Sequence, residues 1–212
     1  MQQLDVITDR LVDGMGDVAG ERTPETWDIR LAAWRLLSKG EPVTVKAIAQ
    51  QAGRDVTEVQ RCLHGSSDVT VDGRIEAVMG LSLRPTQHGI RIAGQQLYTW
   101  CALDLLFIPV VLGVTAEIES TSPASGDNVR AVVTPRGVER VDPTDAVVSV
   151  VPIRPEGSEI RDAFCNFVHF FSSEADAGSW RHANPDGWVL PATEAFNLGT
   201  RFIDRLGGDC CG

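Results

Sequence analysis

The chain has 212 residues, of which 43% are hydrophobic and 23% charged, as in globular proteins and unlike disordered or fibrous ones. Its net charge of −10 makes a nucleic acid a poor partner unless a local basic face exists. It has no run of about 18 apolar residues that would span a membrane, and its N-terminus lacks the features of a secretory signal, so we expect a cytoplasmic protein without a membrane partner.

Residues 1–84 are predicted to form a winged-helix-like domain. The polar residues 1–22 predict at most a short helix or arm. Residues 24–39 have an apolar face and begin with a proline, which suits the first turn of a helix. Two further helices follow, the first over Val45–Ala52, and the Asp72–Gly73 pair between alternating apolar residues predicts a hairpin. Three helices and a hairpin are the order of a winged helix.

A winged helix either binds DNA or has only a structural role. The second and third predicted helices and their flanks carry three basic residues, Lys46, Arg54 and Arg61. A DNA-binding face needs enough positive charge to displace phosphate counterions, and the whole chain is acidic. We therefore favour the structural role and expect no nucleic-acid partner.

Residues 85–206 are predicted to form the second domain, a mixed α/β unit with antiparallel-rich sheets, so the expected fold class is α+β. In it, HGIRIAG predicts a strand, and LYTWCALDLLFIPVVLG predicts a helix that ends at Pro109. Four β-rich segments follow, separated by turn residues. SEIRDAFCNFVHFFSS has both helical and strand character, and ATEAFNLGTRFIDRL predicts a final amphipathic helix. Residues 207–212 predict a flexible tail that contains two cysteines.

The five cysteines are odd in number and irregularly spaced, which does not predict a disulfide scaffold. Cys62 lies on the apolar stripe of a predicted helix, and we interpret it as a small core residue. Cys210 and Cys211 are adjacent near the end of the chain. Such a pair either captures a soft metal or is incidental.

Asp104 is the most informative residue, because it is a carboxylate inside an apolar run. Burying an ionised carboxylate is costly unless it is paired, hydrogen-bonded or protonated. In a helix, Cys101 and Asp104 would share one face and a pocket lined by Trp100, Leu105 and Phe107 or their neighbours. Desolvation would then raise the pKa of Asp104, enabling it to donate a proton near neutral pH. From these residues alone we favour the alternative, an inert cysteine beside a satisfied core acid.

A second aromatic stretch, DAFCNFVHFF, contains Cys165 and, four residues later, His169. If the stretch is helical, His169 could deprotonate the Cys165 thiol or bind a metal with it. From these residues alone we favour an inert buried cysteine and a hydrogen-bonded core histidine. The sequence motifs of serine hydrolases, zinc peptidases, P-loop proteins and dinucleotide-binding proteins are missing from the chain.

The segment LYTWCALDLLFIPVVLG resembles the bacterial organomercurial lyases, also called alkylmercury lyases. The similarity continues through SGDNVRAVVTP, FCNFVHFF and EAFNLG, and extends weakly into the N-terminal part. The resemblance implies that Cys101, Asp104 and Cys165 form an active site that binds mercury and cleaves a carbon–mercury bond. Ser122 stands where many relatives have a further cysteine of structural importance, and Asn166 stands where some have a second cysteine.

The resemblance also implies a mechanism. The thiolates of Cys101 and Cys165 bind the mercury of R–Hg⁺ in an order that is left open, and Asp104 takes a thiol proton and gives it to the leaving carbon. The products are a hydrocarbon and Hg²⁺ held by two sulfurs. No cofactor is implied, and low-molecular-weight thiols or a mercuric reductase would remove the Hg²⁺. We add the hypothesis that Cys210 and Cys211 relay the product.

Two other classes of function stay open. The first is a cysteine-based metal sensor that binds DNA through the winged helix and turns nothing over. The second is a metal-binding chaperone in which Asp104 is a third ligand instead of an acid. The acidic charge of the chain and the position of Asp104 inside an apolar run count against the sensor.

Overall fold

A computed structural model describes residues 2–18, 24–154 and 159–207, and in these ranges the predicted α+β fold is confirmed. The helices are α1 (Gln2–Val18), α2 (Pro24–Leu37), α3 (Val45–Ala52), α4 (Val56–Leu63), α5 (Ala102–Leu112), α6 (Ile160–Ala163), α7 (Gly178–Ala183) and α8 (Ala192–Arg205), with a 3-10 turn at Cys165–Phe167. None of the described helices is long and apolar enough to cross a lipid bilayer.

The strands form two antiparallel sheets. They are β1 (Ser67–Val69), β2 (Ile75–Val78), β3 (Leu81–Ser82), β4 (His88–Ile92), β5 (Gln95–Thr99), β6 (Ala116–Thr121), β7 (Asn128–Thr134), β8 (Gly137–Asp142), β9 (Val147–Val150), β10 (Phe170–Phe171) and β11 (Trp188–Pro191). The large sheet has the order β1-β2-β3-β5-β4-β6-β7-β8, and the small sheet has the order β10-β9-β11.

The N-terminal part contains the predicted helices and hairpin. Helix α3 begins after Thr44, whose hydroxyl accepts a hydrogen bond from the Ala47 N–H at 3.1 Å, and it ends at Gly53 in the left-handed conformation. Strands β1 and β2 pair on either side of the Asp72–Gly73 turn. Strand β3 then pairs with β5, so the large sheet and the main hydrophobic core both run past residue 84. The domain boundary at that residue stays a prediction.

The prediction for LYTWCALDLLFIPVVLG was wrong at both ends of its helix. Its first residues belong to β5, and α5 starts only at Ala102. Pro109 lies inside α5, which continues to Leu112 and ends at Gly113 in the left-handed conformation. Proline removes its own hydrogen bond and its ring crowds the carbonyl four residues earlier, but residues 102–110 of α5 are all buried. Burial of this apolar helix in the core offsets the missing bond.

Candidate active site

Three buried side chains converge at the start of α5. The ligand atoms of Cys101, Asp104 and Cys165 all lie within 4.8 Å of one another, and the three residues are 0%, 6% and 5% exposed. Within the described ranges no second group of three or more histidine, cysteine or acidic side chains converges in this way. The structure thus brings together the three residues for which the family resemblance implies an active site.

Cys101 and Asp104 meet through a capping box and not through a shared helical face. Cys101 is the residue before the first turn of α5, in an extended conformation, and its backbone N–H donates to Asp104 Oδ2 at 3.0 Å. In return, the Asp104 N–H is directed at the Cys101 sulfur. The reciprocal contact holds the carboxylate beside the thiol.

Cys165 reaches the pair because its loop is fixed against the start of α5. The Ala102 N–H donates to the Val168 carbonyl at 3.1 Å, which joins the two segments directly. The Phe167 carbonyl accepts from the Ser149 hydroxyl at 2.9 Å and from the Trp180 indole at 3.0 Å. These bonds orient a short 3-10 turn that would otherwise have little structure of its own.

Burial is the main influence on the pKa values of Asp104 and Cys101. It raises the pKa of Asp104 to about 7, although hydrogen bonds from the Cys101 thiol and backbone N–H oppose the shift. It also raises the pKa of the Cys101 thiol well above its usual range, and the contact with Cys165 and the charge of Asp104 act in the same direction. Near neutral pH the thiol therefore keeps its proton, and the carboxyl group exchanges one readily.

A narrow apolar cavity adjoins Asp104 and Cys165. Trp100 and Phe107 line it as expected, whereas Leu105 is buried elsewhere in the core. Much of the remaining wall comes from parts of the chain that carried no chemical motif in the sequence, namely Met15, Trp27, Arg30, Trp34, Met79 and Gly80. Because α1, α2 and the β2–β3 turn meet α5 and α8 here, the cavity is built from both halves of the chain.

The β2–β3 turn makes the closest approach to Asp104. Gly80 has a φ of +99°, and a Cβ atom built on it would lie 2.6 Å from the Asp104 carboxyl carbon. The turn is held in place by the Trp34 indole, which donates to the Val78 carbonyl at 2.9 Å, and by the Trp100 N–H, which donates to the Gly80 carbonyl at 2.8 Å. Only a glycine fits here. The sequence predicts a hairpin at Asp72–Gly73 but contains no signal for this contact.

Trp100 is held from the side by Arg161. The guanidinium carbon of Arg161 lies 4.1 Å from the Trp100 ring centroid, and the same guanidinium forms an ion pair with Asp68 in β1. The residue next to Cys101 is therefore fixed by a contact between α6 and the N-terminal hairpin.

His169 belongs to a different polar cluster. The Gln87 amide nitrogen lies 2.9 Å from His169 Nδ1 and 3.2 Å from His88 Nε2, and His88 Nδ1 lies 2.8 Å from the Ser120 hydroxyl. If the amide donates to both rings, both histidines are neutral. Burial accordingly lowers the pKa of His88 to about 3 and also lowers that of His169. These contacts favour the hydrogen-bonded core histidine over a ligand or base acting with Cys165.

Of the cysteines in the described residues, Cys62 lies apart from the group. Cys62 is partly buried on α4, its thiol is 3.8 Å from the Thr26 carbonyl, and burial raises its pKa. This placement fits a core residue. Cys210 and Cys211 lie outside the described residues, so the product relay stays a prediction. Ser122, which replaces a cysteine of many relatives, is buried and donates to Asp176 Oδ2 at 2.6 Å.

Two family models match consecutive parts of the chain. The model described as helix-turn-helix domain of alkylmercury lyase matches residues 7–80, and the model described as alkylmercury lyase matches residues 81–204. Together they cover most of the chain, including all three converging side chains.

Curated proteins and a solved structure are also similar. The alkylmercury lyase of Staphylococcus epidermidis is 40% identical over 200 residues, covering 91% of each chain. That of Streptomyces lividans is 41% identical over 90% of this chain and 87% of the relative, and that of Pseudomonas putida is 33% identical over 89% of both. The crystal structure of the mercury-bound form of MerB2 has the same fold, with a TM-score of 0.76 at 22% identity over 97% of this chain and 100% of that one.

Proposed function

The chain belongs to the alkylmercury lyase family and is a carbon–mercury lyase, and we propose that Cys101, Asp104 and Cys165 are its catalytic residues. The observation that carries this proposal is the convergence of two thiols and one carboxyl group within 4.8 Å in a buried, apolar setting. Thiolates are the preferred protein ligands of soft cations, and the carboxyl group is the available proton carrier.

Asp104 begins the reaction as a base. Because burial places its pKa at about 7, a large fraction of Asp104 is ionised at neutral pH and can accept a proton. The Cys101 thiol gives its proton to Asp104 as its sulfur binds the mercury of R–Hg⁺, since mercury binding stabilises the thiolate, and the Cys165 sulfur adds as a second ligand. Additional sulfur donation increases the negative charge on the carbon bound to mercury and weakens that bond.

Asp104 ends the reaction as an acid. The proton taken from the thiol passes to the leaving carbon, which gives R–H and Hg²⁺ bound to two sulfurs. With a substrate carried as R–Hg–SR′, the second cysteine proton leaves with the carrier as R′SH, so atoms and charges balance. Exclusion of water from the apolar cavity protects the proton from exchange with solvent and keeps the electrostatic interactions strong.

Product release needs further thiols. Low-molecular-weight thiols, or the cysteines of a mercuric reductase, would take Hg²⁺ from the two sulfurs by ligand exchange in the cytoplasm. The N-terminal helix-turn-helix part serves as a wall of the cavity, since Trp27, Trp34 and the β2–β3 turn line it. No cofactor enters these steps.

The test is headspace gas chromatography of methane after methylmercury is added with excess thiol. We expect many equivalents of methane from the unmodified enzyme and none above background from Cys165→Ser, whereas Cys62→Ser, a matched loss of a cysteine outside the site, keeps the rate. Asp104→Asn keeps the shape but not the proton transfer, and should lower kcat by about 10²–10⁴-fold.

Two outcomes would contradict the assignment. Normal turnover by Cys165→Ser would show that the second thiolate lies elsewhere. Normal turnover by Asp104→Asn would show that Asp104 is only an oxygen ligand or a structural residue. Stoichiometric mercury binding without methane in the unmodified protein would instead identify a sensor or a chaperone.

A further inference from the structure

The cavity contains sulfur that the proposed mechanism does not use. Both methionines in the described residues, Met15 and Met79, line it together with Asp104 and Cys165. A thioether is a neutral, soft ligand, and soft ligands bind soft metals in preference to hard ones. The position of these two side chains is therefore chemically relevant to a substrate that contains mercury.

Met79 adopts a backbone conformation that does not suit methionine. Its φ is +40°, in the left-handed region that residues other than glycine, asparagine and aspartate seldom adopt. It is the first residue of a two-residue hairpin turn with positive φ at both positions, where asparagine is strongly preferred. The turn therefore gives no reason for a methionine at this position, and the observation that bears on function is that its side chain lines the cavity.

The turn is fixed in a way that keeps the Met79 side chain at the cavity. The Met79 N–H donates to the Ser66 carbonyl at 3.0 Å, and the carbonyls of Val78 and Gly80 on either side accept from the two tryptophans Trp34 and Trp100. The next residue, Gly80, is the one that touches Asp104. The Met79 backbone is therefore held one residue away from the catalytic carboxyl group.

We infer that Met79 is a binding residue for the organomercury cation, and that its thioether sulfur is a third, neutral soft ligand beside Cys101 and Cys165. The inference rests on the proposed function of that group. The sulfur donates a lone pair to mercury, so one coordinate bond forms while no covalent bond breaks and no proton or electron moves. A neutral thioether binds mercury more weakly than a thiolate does, so it holds R–Hg⁺ during thiol deprotonation without retaining Hg²⁺ afterwards.

The first test replaces the sulfur by carbon. Met79→Leu keeps an apolar side chain of similar volume, and we expect the KM for methylmercury to rise roughly three- to tenfold while kcat stays within about twofold, as for loss of a binding contact. A KM equal to that of the unmodified enzyme would overturn the inference. A thermal melt checks that the variant is folded.

The second test replaces sulfur by selenium, which is softer and nearly the same size. With selenomethionine in place of methionine, we expect the KM of the unmodified enzyme to fall. The fall should persist in Met15→Leu, the matched control at the other cavity methionine, and vanish in Met79→Leu. Insensitivity to selenium, or a selenium effect that depends on Met15 instead, would overturn the role of Met79. Absence of methane from the unmodified enzyme would mean that the proposed function itself had failed.

Discussion

Two hairpin turns in the large sheet have the same backbone conformation and opposite surroundings. Met79–Gly80 joins β2 to β3 with φ values of +40° and +99°, and Ala93–Gly94 joins β4 to β5 with φ values of +49° and +83°. A Cβ atom on Gly94 would meet nothing within 4 Å, whereas one on Gly80 would collide with Asp104. Ala93 is exposed, and Met79 faces the cavity.

The comparison separates a local reason for requiring glycine from a reason that depends on long-range contacts. Gly94 is explained by its turn alone, because only glycine adopts positive φ without a steric penalty. Gly80 satisfies the same demand and also leaves space for a buried carboxyl group from a distant helix. Nothing in the local sequence distinguishes the two, so the matched positions give natural controls for experiments on the site.

The largest expected difference comes from adding one methyl group to each turn. Gly94→Ala should lower the free energy of unfolding by about 1 kcal/mol because of the positive φ, and Gly80→Ala should lower it by more because the added methyl group also collides with buried Asp104. Only Gly80→Ala displaces Asp104, and a misplacement of this kind should lower kcat/KM on the order of 100-fold. Initial rates and urea denaturation of both variants measure the two effects. Equal rates in the two variants would contradict the role of the close approach.

A smaller difference is expected in the pH dependence of kcat/KM. Asp104 must be ionised to accept the thiol proton, and its pKa is about 7, so kcat/KM should fall about tenfold per pH unit below that value and level off above it. Burial is the cause of the raised pKa. Gly80→Ala, which changes the packing on the carboxyl group, should therefore move the inflection, and Gly94→Ala should leave it in place. Rates with a preformed methylmercury–thiol complex across pH 5.5–8 provide the measurement; a flat profile would exclude Asp104 as the base.

The smallest effect concerns the first residue of each turn. Asparagine tolerates the left-handed conformation, so Ala93→Asn should raise the free energy of unfolding by about 0.5–1 kcal/mol. Met79→Asn should raise the free energy of unfolding by less, because the substitution removes the apolar contacts that the partly buried methionine makes with the core. Urea denaturation measures both. If Met79→Asn raised the free energy of unfolding as much as Ala93→Asn and left the KM for methylmercury unchanged, the methionine would contribute neither packing nor binding.

Local signals predicted much of the fold. The bounds of α3 and the hairpin at Asp72–Gly73 follow from caps and turn residues that act within a few positions. The predicted end of α5 at Pro109 was wrong because the lost hydrogen bond is visible in the local sequence, whereas the burial of α5 depends on tertiary packing. The segment around Cys165 stayed ambiguous because its short turn is stabilised by Ser149 and Trp180, which are distant in sequence.

The candidate site was predictable in its residues but not in its geometry. The spacing of Cys101 and Asp104 indicated proximity, yet the cause is a capping box, and cysteine is not a preferred residue at that position. Cys165 was assigned through family resemblance, since its own segment contains no signal for the contact with α5. The cavity walls contributed by Trp34, Met79 and Gly80 depend on tertiary packing alone.

The cavity is assembled from two stretches of chain, and this affects how its shape can change during evolution. The three proposed catalytic side chains all follow residue 100, whereas Met15, Trp27, Trp34 and Met79 precede residue 84. Recombination between relatives at the β3–β4 connection would exchange this part of the cavity wall, Met79 included, while preserving the candidate acid and both thiols. The N-terminal part of the wall can therefore change while the two thiols and the carboxyl group stay in the chain, so directed evolution toward bulkier organomercurials has targets in the first eighty residues as well as in α5 and α8.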